Sequence, residues 1–95
     1  MRVISKAAIN EFVETHDAAL EPLMHWYGVA KRARWQSLVE AREDFPHADV
    51  VGPFTVFNIG GNKCRLVTAI KYRWQVIYIR HVLTHAEYSR GKWKL

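Results

Sequence analysis

The chain has 95 residues, of which 49% are hydrophobic and 13% aromatic, and its formal net charge is +5 with a sequence pI near 9.7. This composition predicts a single folded domain over residues 1–95 and excludes disorder. It also excludes a membrane span, which needs about 18 consecutive apolar residues. One cysteine excludes an intramolecular disulfide and a cysteine-based metal site. We therefore expect no metal or other cofactor, and a reducing cytoplasm as the setting.

The charges are segregated along the chain. Residues 1–50 carry six Lys/Arg and eight Asp/Glu, whereas residues 51–95 carry eight Lys/Arg and one acidic residue, Glu87. Charge that serves only solubility would not be divided so sharply between the two halves. A basic half of this kind favours an anionic partner, and nucleic acid is the leading class.

The N-terminal residues predict a short strand followed by helices. Arg2–Ile4 is a plausible first strand, and Ser5 offers a hydroxyl that caps a helix extending to about His16. A second apolar stripe predicts a helix within residues 17–33. Pro22 lies either in the first turn of that helix or at a kink that follows a short separate turn.

A third, short helix is predicted to begin at Ser37 or a neighbour and to end near Asp44. Residues 47–53 are predicted to form a loop. The second helix, within residues 17–33, ends near a cluster of cations, Lys31, Arg32 and Arg34. These cations either complement the negative end of the helix dipole or extend a nucleic-acid surface.

Residues 54–89 contain three runs rich in β-branched and aromatic side chains, which predict three consecutive antiparallel strands. Gly60-Gly61-Asn62 suits a tight hairpin rather than a phosphate-binding loop, because a strand and not a helix follows it. The tail, residues 90–95, is predicted to be loose or partly strand-like. The order of elements predicts an α+β fold with helices packed on one face of an antiparallel sheet, and function on the other face.

Strand alternation sorts the side chains of this region. In the second strand, Arg65 faces away from the uncharged set that contains Cys64, so Cys64 is predicted to be an inert core thiol. If Ile77 and Ile79 of the third strand pack into the same core, Arg80 faces the same way as Arg65. Two guanidinium groups on adjacent strands would form a phosphate site.

The segment after the third strand contains an imidazole, a carboxylate and a phenol, in His85, Glu87 and Tyr88. Such a cluster either supplies acid–base chemistry or is an ordinary strand end. His81 and His85 are spaced for one strand face, but no third metal ligand lies nearby. Trp74 is the tryptophan expected to be exposed, where it could stack on a base. The candidate RNA-binding residues are Arg80, Lys71, Arg73, Trp74, Lys31, Arg32 and Arg34.

Several ordered motifs resemble one family. The segments VFNIGGNKCRLV and IYIRHVLTHAEY, with MRVIS, WYGVAKRARWQS and REDFP before them, are similar to the HigB toxins of bacterial toxin–antitoxin operons, which are relatives of the RelE-type messenger-RNA interferases. The resemblance covers roughly residues 1–88. The chain departs from the family pattern at Cys64, where an aromatic residue is expected, and after Tyr88, where an acidic residue is expected.

The resemblance implies a compact α+β ribonuclease that cuts mRNA, typically on the ribosome, and that is silenced by a helix-turn-helix antitoxin of the HigA type. The arginine of the strand motif corresponds to Arg65, the basic residue after the last strand to His85, and the late aromatic residue to Tyr88.

The predicted mechanism is metal-independent attack by the ribose 2′-hydroxyl. Arg65, assisted by Lys63 and Arg80, would neutralise the phosphorane. His85 would transfer protons, and Tyr88 would orient the substrate or share that role. The sequence leaves open which group is the base and which the acid. The alternatives are a non-catalytic RNA- or DNA-binding module and a protein-interaction domain for an acidic partner.

Overall fold

The computed structural model describes residues 1–61 and 63–94. Its helices and strands are, in chain order, β1 (Arg2–Ile4), α1 (Lys6–Val13), α2 (Leu20–Arg32), α3 (Leu38–Asp44), β2 (Asp49–Val51), β3 (Phe54–Ile59), β4 (Cys64–Lys71), β5 (Val76–Leu83) and α4 (His85–Arg90). The strands form one sheet in the order β1-β5-β4-β3-β2. Strand β1 is parallel to β5, and the other neighbours are antiparallel. The predicted α+β class is confirmed.

The N-terminal helices begin close to where the sequence predicts. The Ser5 hydroxyl accepts a hydrogen bond from the backbone N–H of Ala7 at 3.0 Å and caps α1. A 3-10 turn, Asp17–Ala19, precedes α2, and Pro22 lies in the first turn of α2. The first alternative for Pro22 is therefore confirmed, and a short separate turn also precedes the helix.

The main core lies between the helices and one face of the sheet. Phe57, Leu66 and Ile77 from the strands are buried there with Leu23 and Trp26 from α2. The ring of Trp26 meets that of Phe57 edge-on, with centroids 5.4 Å apart. The uncharged face of β4 is thus the core face, as alternation predicts, and Cys64 is fully buried in it.

The other face of the sheet is not left free, and the prediction of a loose or strand-like tail is wrong. The chain turns at Gly91 after α4 and forms a 3-10 turn, Lys92–Lys94, that lies over this face. Trp93 is only 6% exposed and packs against Val56 and Val67. This apolar anchor holds the basic C-terminal segment on the sheet. Leu95 lies outside the described residues.

The loops also differ in part from the prediction. Residues 49–51, within the predicted loop, form β2 and pair with β3. Gly60 and Gly61 have φ of 61° and 69°, which confirms the expected positive φ of the hairpin turn, while Asn62 lies outside the described residues. The turn between β4 and β5 is a 3-10 turn, Tyr72–Trp74, closed by Gln75 in the left-handed conformation at φ 57°.

An irregularity in the β4–β5 register overturns the predicted orientation of Arg80. Val67 pairs with His81 and Thr68 with Ile79, so Arg80 is an extra residue without a partner on β4. The insertion resets the alternation of β5, and Leu83, which pairs with Arg65, joins the face that Arg65 occupies. Arg80 instead lines a pocket against α1, together with Glu11 and Phe12.

Candidate active site

The side chain of Arg65 is held in place by a neighbouring strand. Its guanidinium donates a 2.8 Å hydrogen bond to the side-chain oxygen of Asn58, the residue that it pairs with on β3. The guanidinium carbon also lies 5.5 Å from the centroid of the Tyr88 ring, in a cation–π contact. The predicted association of Arg65 with Tyr88 is therefore observed.

The C-terminal segment fixes Tyr88 from the other side. The indole of Trp93 stacks on the Tyr88 ring with centroids 5.0 Å apart and an interplanar angle of 16°. The indole N–H donates to the backbone carbonyl of Tyr88 at 2.9 Å, and the ring of Phe54 meets Trp93 edge-on at 5.9 Å. Tyr88 thus lies between a guanidinium and an indole.

Arg65 and Tyr88 open onto a concave site of about 260 Å³, here called the Arg65 pocket. Its lining residues are His47, Asp49, Val56, Asn58, Arg65 and Tyr88. It combines a guanidinium, an imidazole, a phenol, an amide and a carboxylate. The carboxylate of Asp49 forms a long contact of 3.8 Å with Arg42. Groups of these kinds can bind a phosphodiester and move protons at it in enzymes.

His85 occupies the first turn of α4, one turn before Tyr88, and its side chain is exposed. It does not line the Arg65 pocket. The helix that carries both residues is closed by a capping box: the Thr84 hydroxyl accepts from the Glu87 N–H at 3.2 Å, and the Glu87 carboxylate accepts from the Thr84 N–H at 2.9 Å. The hydrogen bond from the Thr84 backbone lowers the pKa of Glu87, and the charges of His16 and Arg90 act in the same direction.

Comparison with known proteins connects this geometry to a family. The family HigB_toxin, described as the RelE-like toxic component of a toxin-antitoxin system, matches residues 19–91. The chain belongs to the HigB toxin family. It is 28% identical over 93 residues to an mRNA interferase HigB of Escherichia coli O6:H1, covering 95% of this chain and 90% of the relative. It is also 28% identical to the mRNA interferase toxin HigB of Escherichia coli K12, over 94% of this chain and 88% of that protein.

In this HigB-family chain, the two cations predicted to assist Arg65 lie away from the Arg65 pocket. Lys63 is exposed at the hairpin turn, and its aliphatic chain lies beside Gly60. Arg80 lines the pocket against α1 described above. Neither residue lines the Arg65 pocket, so Arg65 is the cation of the predicted catalytic set that the structure brings together with Tyr88.

The other predicted RNA-binding residues lie at the opposite end of β4. Lys71 is six residues from Arg65 along the strand, a separation of about 20 Å. The side-chain amide of Gln75 donates to the backbone carbonyl of Trp35 at 2.7 Å, which joins the β4–β5 turn to the segment after α2. We call this cluster the distal basic surface; it consists of Lys31, Arg32, Arg34, Lys71, Arg73 and Trp74. Trp74 is 68% exposed, as predicted, and the Arg73 guanidinium lies 5.0 Å from its ring centroid.

The buried thiol takes no part in the Arg65 pocket. Burial raises the pKa of Cys64 to about 11, although the charge of Arg65 acts in the opposite direction. The thiol is therefore protonated at neutral pH, in agreement with the prediction of an inert core residue. No group of three or more His, Cys, Asp or Glu suited to a metal ion is found in residues 1–61 and 63–94. Nor does any helix in these ranges have the length and apolarity to cross a bilayer.

Proposed function

We propose that this HigB-family toxin is an endoribonuclease that cuts mRNA through attack of a ribose 2′-hydroxyl on the adjacent phosphate, without a metal ion. One observation carries the proposal: Asn58 holds the guanidinium of Arg65 against the ring of Tyr88, in a pocket on the basic side of the fold. The names of the relatives, mRNA interferases, support mRNA as the substrate.

In the proposed reaction, a base removes the 2′ proton and the 2′ oxygen attacks phosphorus. The bond to the 5′ oxygen breaks, an acid protonates that oxygen, and a 2′,3′-cyclic phosphate remains. Arg65 neutralises the charge that accumulates on the phosphorane oxygens. A preorganised donor of this kind contributes about 3 kcal/mol to transition-state stabilisation.

Two imidazoles are candidates for proton transfer. The sequence favours His85, which is one turn from Tyr88 on α4. The geometry favours His47, because His47 lines the same pocket as Arg65 and Tyr88. We propose His47 as the principal proton-transfer group, with Tyr88 orienting the substrate and His85 contacting the message at the rim.

The proposed setting is cytoplasmic mRNA on the ribosome, with a helix-turn-helix antitoxin of the HigA type as the silencing partner. Membership of a toxin–antitoxin family supports an antitoxin partner. The distal basic surface supports a second contact with RNA, about 20 Å from Arg65. Such a contact would hold the message and raise its effective concentration at the Arg65 pocket. The alternative is a non-catalytic RNA-binding module that uses the same cations.

The test is cleavage of a defined message in a bacterial translation extract, with a phosphorothioate at the scissile phosphate and added Mn²⁺ in one arm. Arg65→Ala should lower the cleavage rate by about 10²- to 10³-fold, the cost of one such donor. His47→Ala should cost more than His85→Ala. A 2′-deoxy substitution at the cut site should abolish cleavage there, and Lys6→Ala on α1 is the control for loss of an exposed cation.

Three results would contradict the proposal. Cleavage that survives the 2′-deoxy substitution would exclude attack by the 2′-hydroxyl, and Mn²⁺ that restores a cleavage slowed by the phosphorothioate would exclude the metal-independent reaction. If Arg65→Ala weakens RNA binding while the unmodified chain leaves the message intact, the chain is a binding module.

A further inference from the structure

A second concave site lies beside α4 and is not used by the chemistry proposed above. Its volume is about 320 Å³, and it is here called the Arg90 pocket. Its lining residues are His81, Leu83, Glu87, Arg90, Lys92 and Trp93. This volume is within the range of small-ligand sites, which begins at about 300 Å³.

The rim of the Arg90 pocket is cationic. Arg90 and Lys92 are both exposed, and residues 88–94 contain three basic residues and no acidic one. The carboxylate on the rim belongs to Glu87, and it already accepts the Thr84 N–H at 2.9 Å as part of the capping box. Arg90 and Lys92 therefore give the rim a positive excess that suits an anionic group.

The floor of the Arg90 pocket is apolar. It adjoins the Arg65 pocket at the stacked rings of Tyr88 and Trp93. Leu83 and Trp93 supply the floor, and Trp93 stacks at 5.0 Å on Tyr88, which lines the Arg65 pocket. The two pockets thus lie on either side of the Tyr88–Trp93 pair. An apolar floor with cations at the rim matches a nucleotide, which presents a flat base and a charged phosphate.

We infer that the Arg90 pocket binds a nucleotide of the single-stranded message next to the cut, with its base against Leu83 and its phosphate at Arg90 and Lys92. The inference rests on the proposed function for the identity of the strand. It concerns binding alone, so it is testable without cleavage.

The experiment measures the affinity of the full chain for a fluorescent single-stranded RNA in which every ribose carries a 2′-O-methyl group, since such a strand cannot be cut by 2′ attack. The double variant Arg90→Ala/Lys92→Ala should raise Kd about tenfold, as expected for two charge-assisted contacts at an exposed site. The slope of log Kd against log salt should fall by about 1.4, and by about 0.7 in each single variant. Arg90→Gln/Lys92→Gln keeps a polar side chain without the charge at each position and should behave in the same way.

Lys6→Ala, which removes an exposed cation on α1, should leave the salt slope unchanged. The inference would be overturned if the double variants kept the salt slope of the unmodified chain. It would also be overturned if Lys6→Ala lost as much of the salt slope as Arg90→Ala or Lys92→Ala alone. Failure of the proposed function is a separate result. The unmodified chain could fail to cut RNA while the salt slope of the double variants is still lower by about 1.4 than that of the unmodified chain. In that case the Arg90 pocket binds RNA and the chain is not a nuclease.

Discussion

Tyr88 is the residue that connects the two halves of the candidate site. A guanidinium lies 5.5 Å from its ring centroid on β4, and the Trp93 indole stacks on it at 5.0 Å from the C-terminal turn. Stacked aromatic pairs contribute about 0.5–1.5 kcal/mol beyond the area they bury. Because Trp93 is only 6% exposed, it is expected to act on the message through the orientation of Tyr88, as a positioning residue.

Replacement of Trp93 tests this role. Trp93→Ala should lower kcat for message cleavage at least about tenfold with little change in KM, because Tyr88 loses its stacked neighbour and the 2.9 Å bond to its carbonyl. Trp93→Phe keeps a stacking ring and should restore most of the rate. In a Tyr88→Ala background, Trp93→Ala should lower kcat little further. Kinetics of the single and double variants measure this, and thermal unfolding of the same variants controls for loss of stability. Independent, multiplying losses would show that Trp93 does not act through Tyr88.

At the residue scale, alternation and motif position predict part of the site and miss the rest. Arg65 could be predicted from the sequence because the opposite face of β4 carries no charge. Tyr88 could be predicted because it matches the late aromatic residue of the family. His47 could not be predicted as a site residue, because it precedes a three-residue strand in a segment without periodicity. Its position depends on the pairing of β2 with β3, a contact between segments that local sequence does not specify.

Helix α4 is the element on which the site depends most. It has six residues, fewer than an isolated helix needs to be stable in water. Its stability therefore depends on its ends: the Thr84–Glu87 capping box at the start, and Gly91 at φ 74° at the finish. Because α4 carries both His85 and Tyr88, loss of a cap would disturb the candidate site as well as the fold.

The capping box predicts a dependence of stability on pH. The pKa of Glu87 is lowered, chiefly by the hydrogen bond from the Thr84 backbone, so the ionised carboxylate stabilises the folded state. This stabilisation is complete above the ordinary carboxyl value of 4.5 and is lost as the pH falls through the lowered pKa. Glu87→Gln should reduce the free energy of unfolding at neutral pH and flatten its decline below pH 4.5. Thr84→Ala should cost about 1 kcal/mol at neutral pH.

Urea unfolding at a series of pH values would measure both effects, with Glu11→Gln as a matched exposed carboxylate on α1. The same acid-limb slope in Glu87→Gln and the unmodified chain would contradict the assignment.

At the element scale, the long periodic segments and the short β1 and α3 were predictable, whereas the short β2 and α4 were not. The stripe of α2 and the strands β3 to β5 follow from apolar spacing. Helix α4 was missed although Thr84 and Glu87 have the spacing of a capping box, because six residues give no periodicity and the cluster also suited acid–base chemistry. The register irregularity at Arg80 had no local signal in the sequence, and it reversed the predicted facing of that residue.

At the scale of the whole molecule, the charge segregation along the chain becomes two separated basic regions. One lies at the Arg65 and Arg90 pockets beside α4, and the other is the distal basic surface, about 20 Å away along β4. The sequence predicted that these cations bind RNA but grouped them on one face. Two contacts on a single polyanion would raise its effective concentration at the Arg65 pocket.

The distal basic surface should therefore affect binding and not chemistry. The triple variant Lys71→Ala/Arg73→Ala/Trp74→Ala removes two cations and an exposed ring, and it should raise KM for message cleavage at least about tenfold while kcat stays within about twofold. Steady-state cleavage in a translation extract gives both constants, and Arg65→Ala, which should lower kcat, serves as the opposite case. Trp74 contributes almost nothing to the core, being 68% exposed, so the variant should unfold at the same temperature as the unmodified chain. A fall in kcat with KM unchanged would contradict a docking role and would mean that the two ends of the sheet are coupled during the reaction.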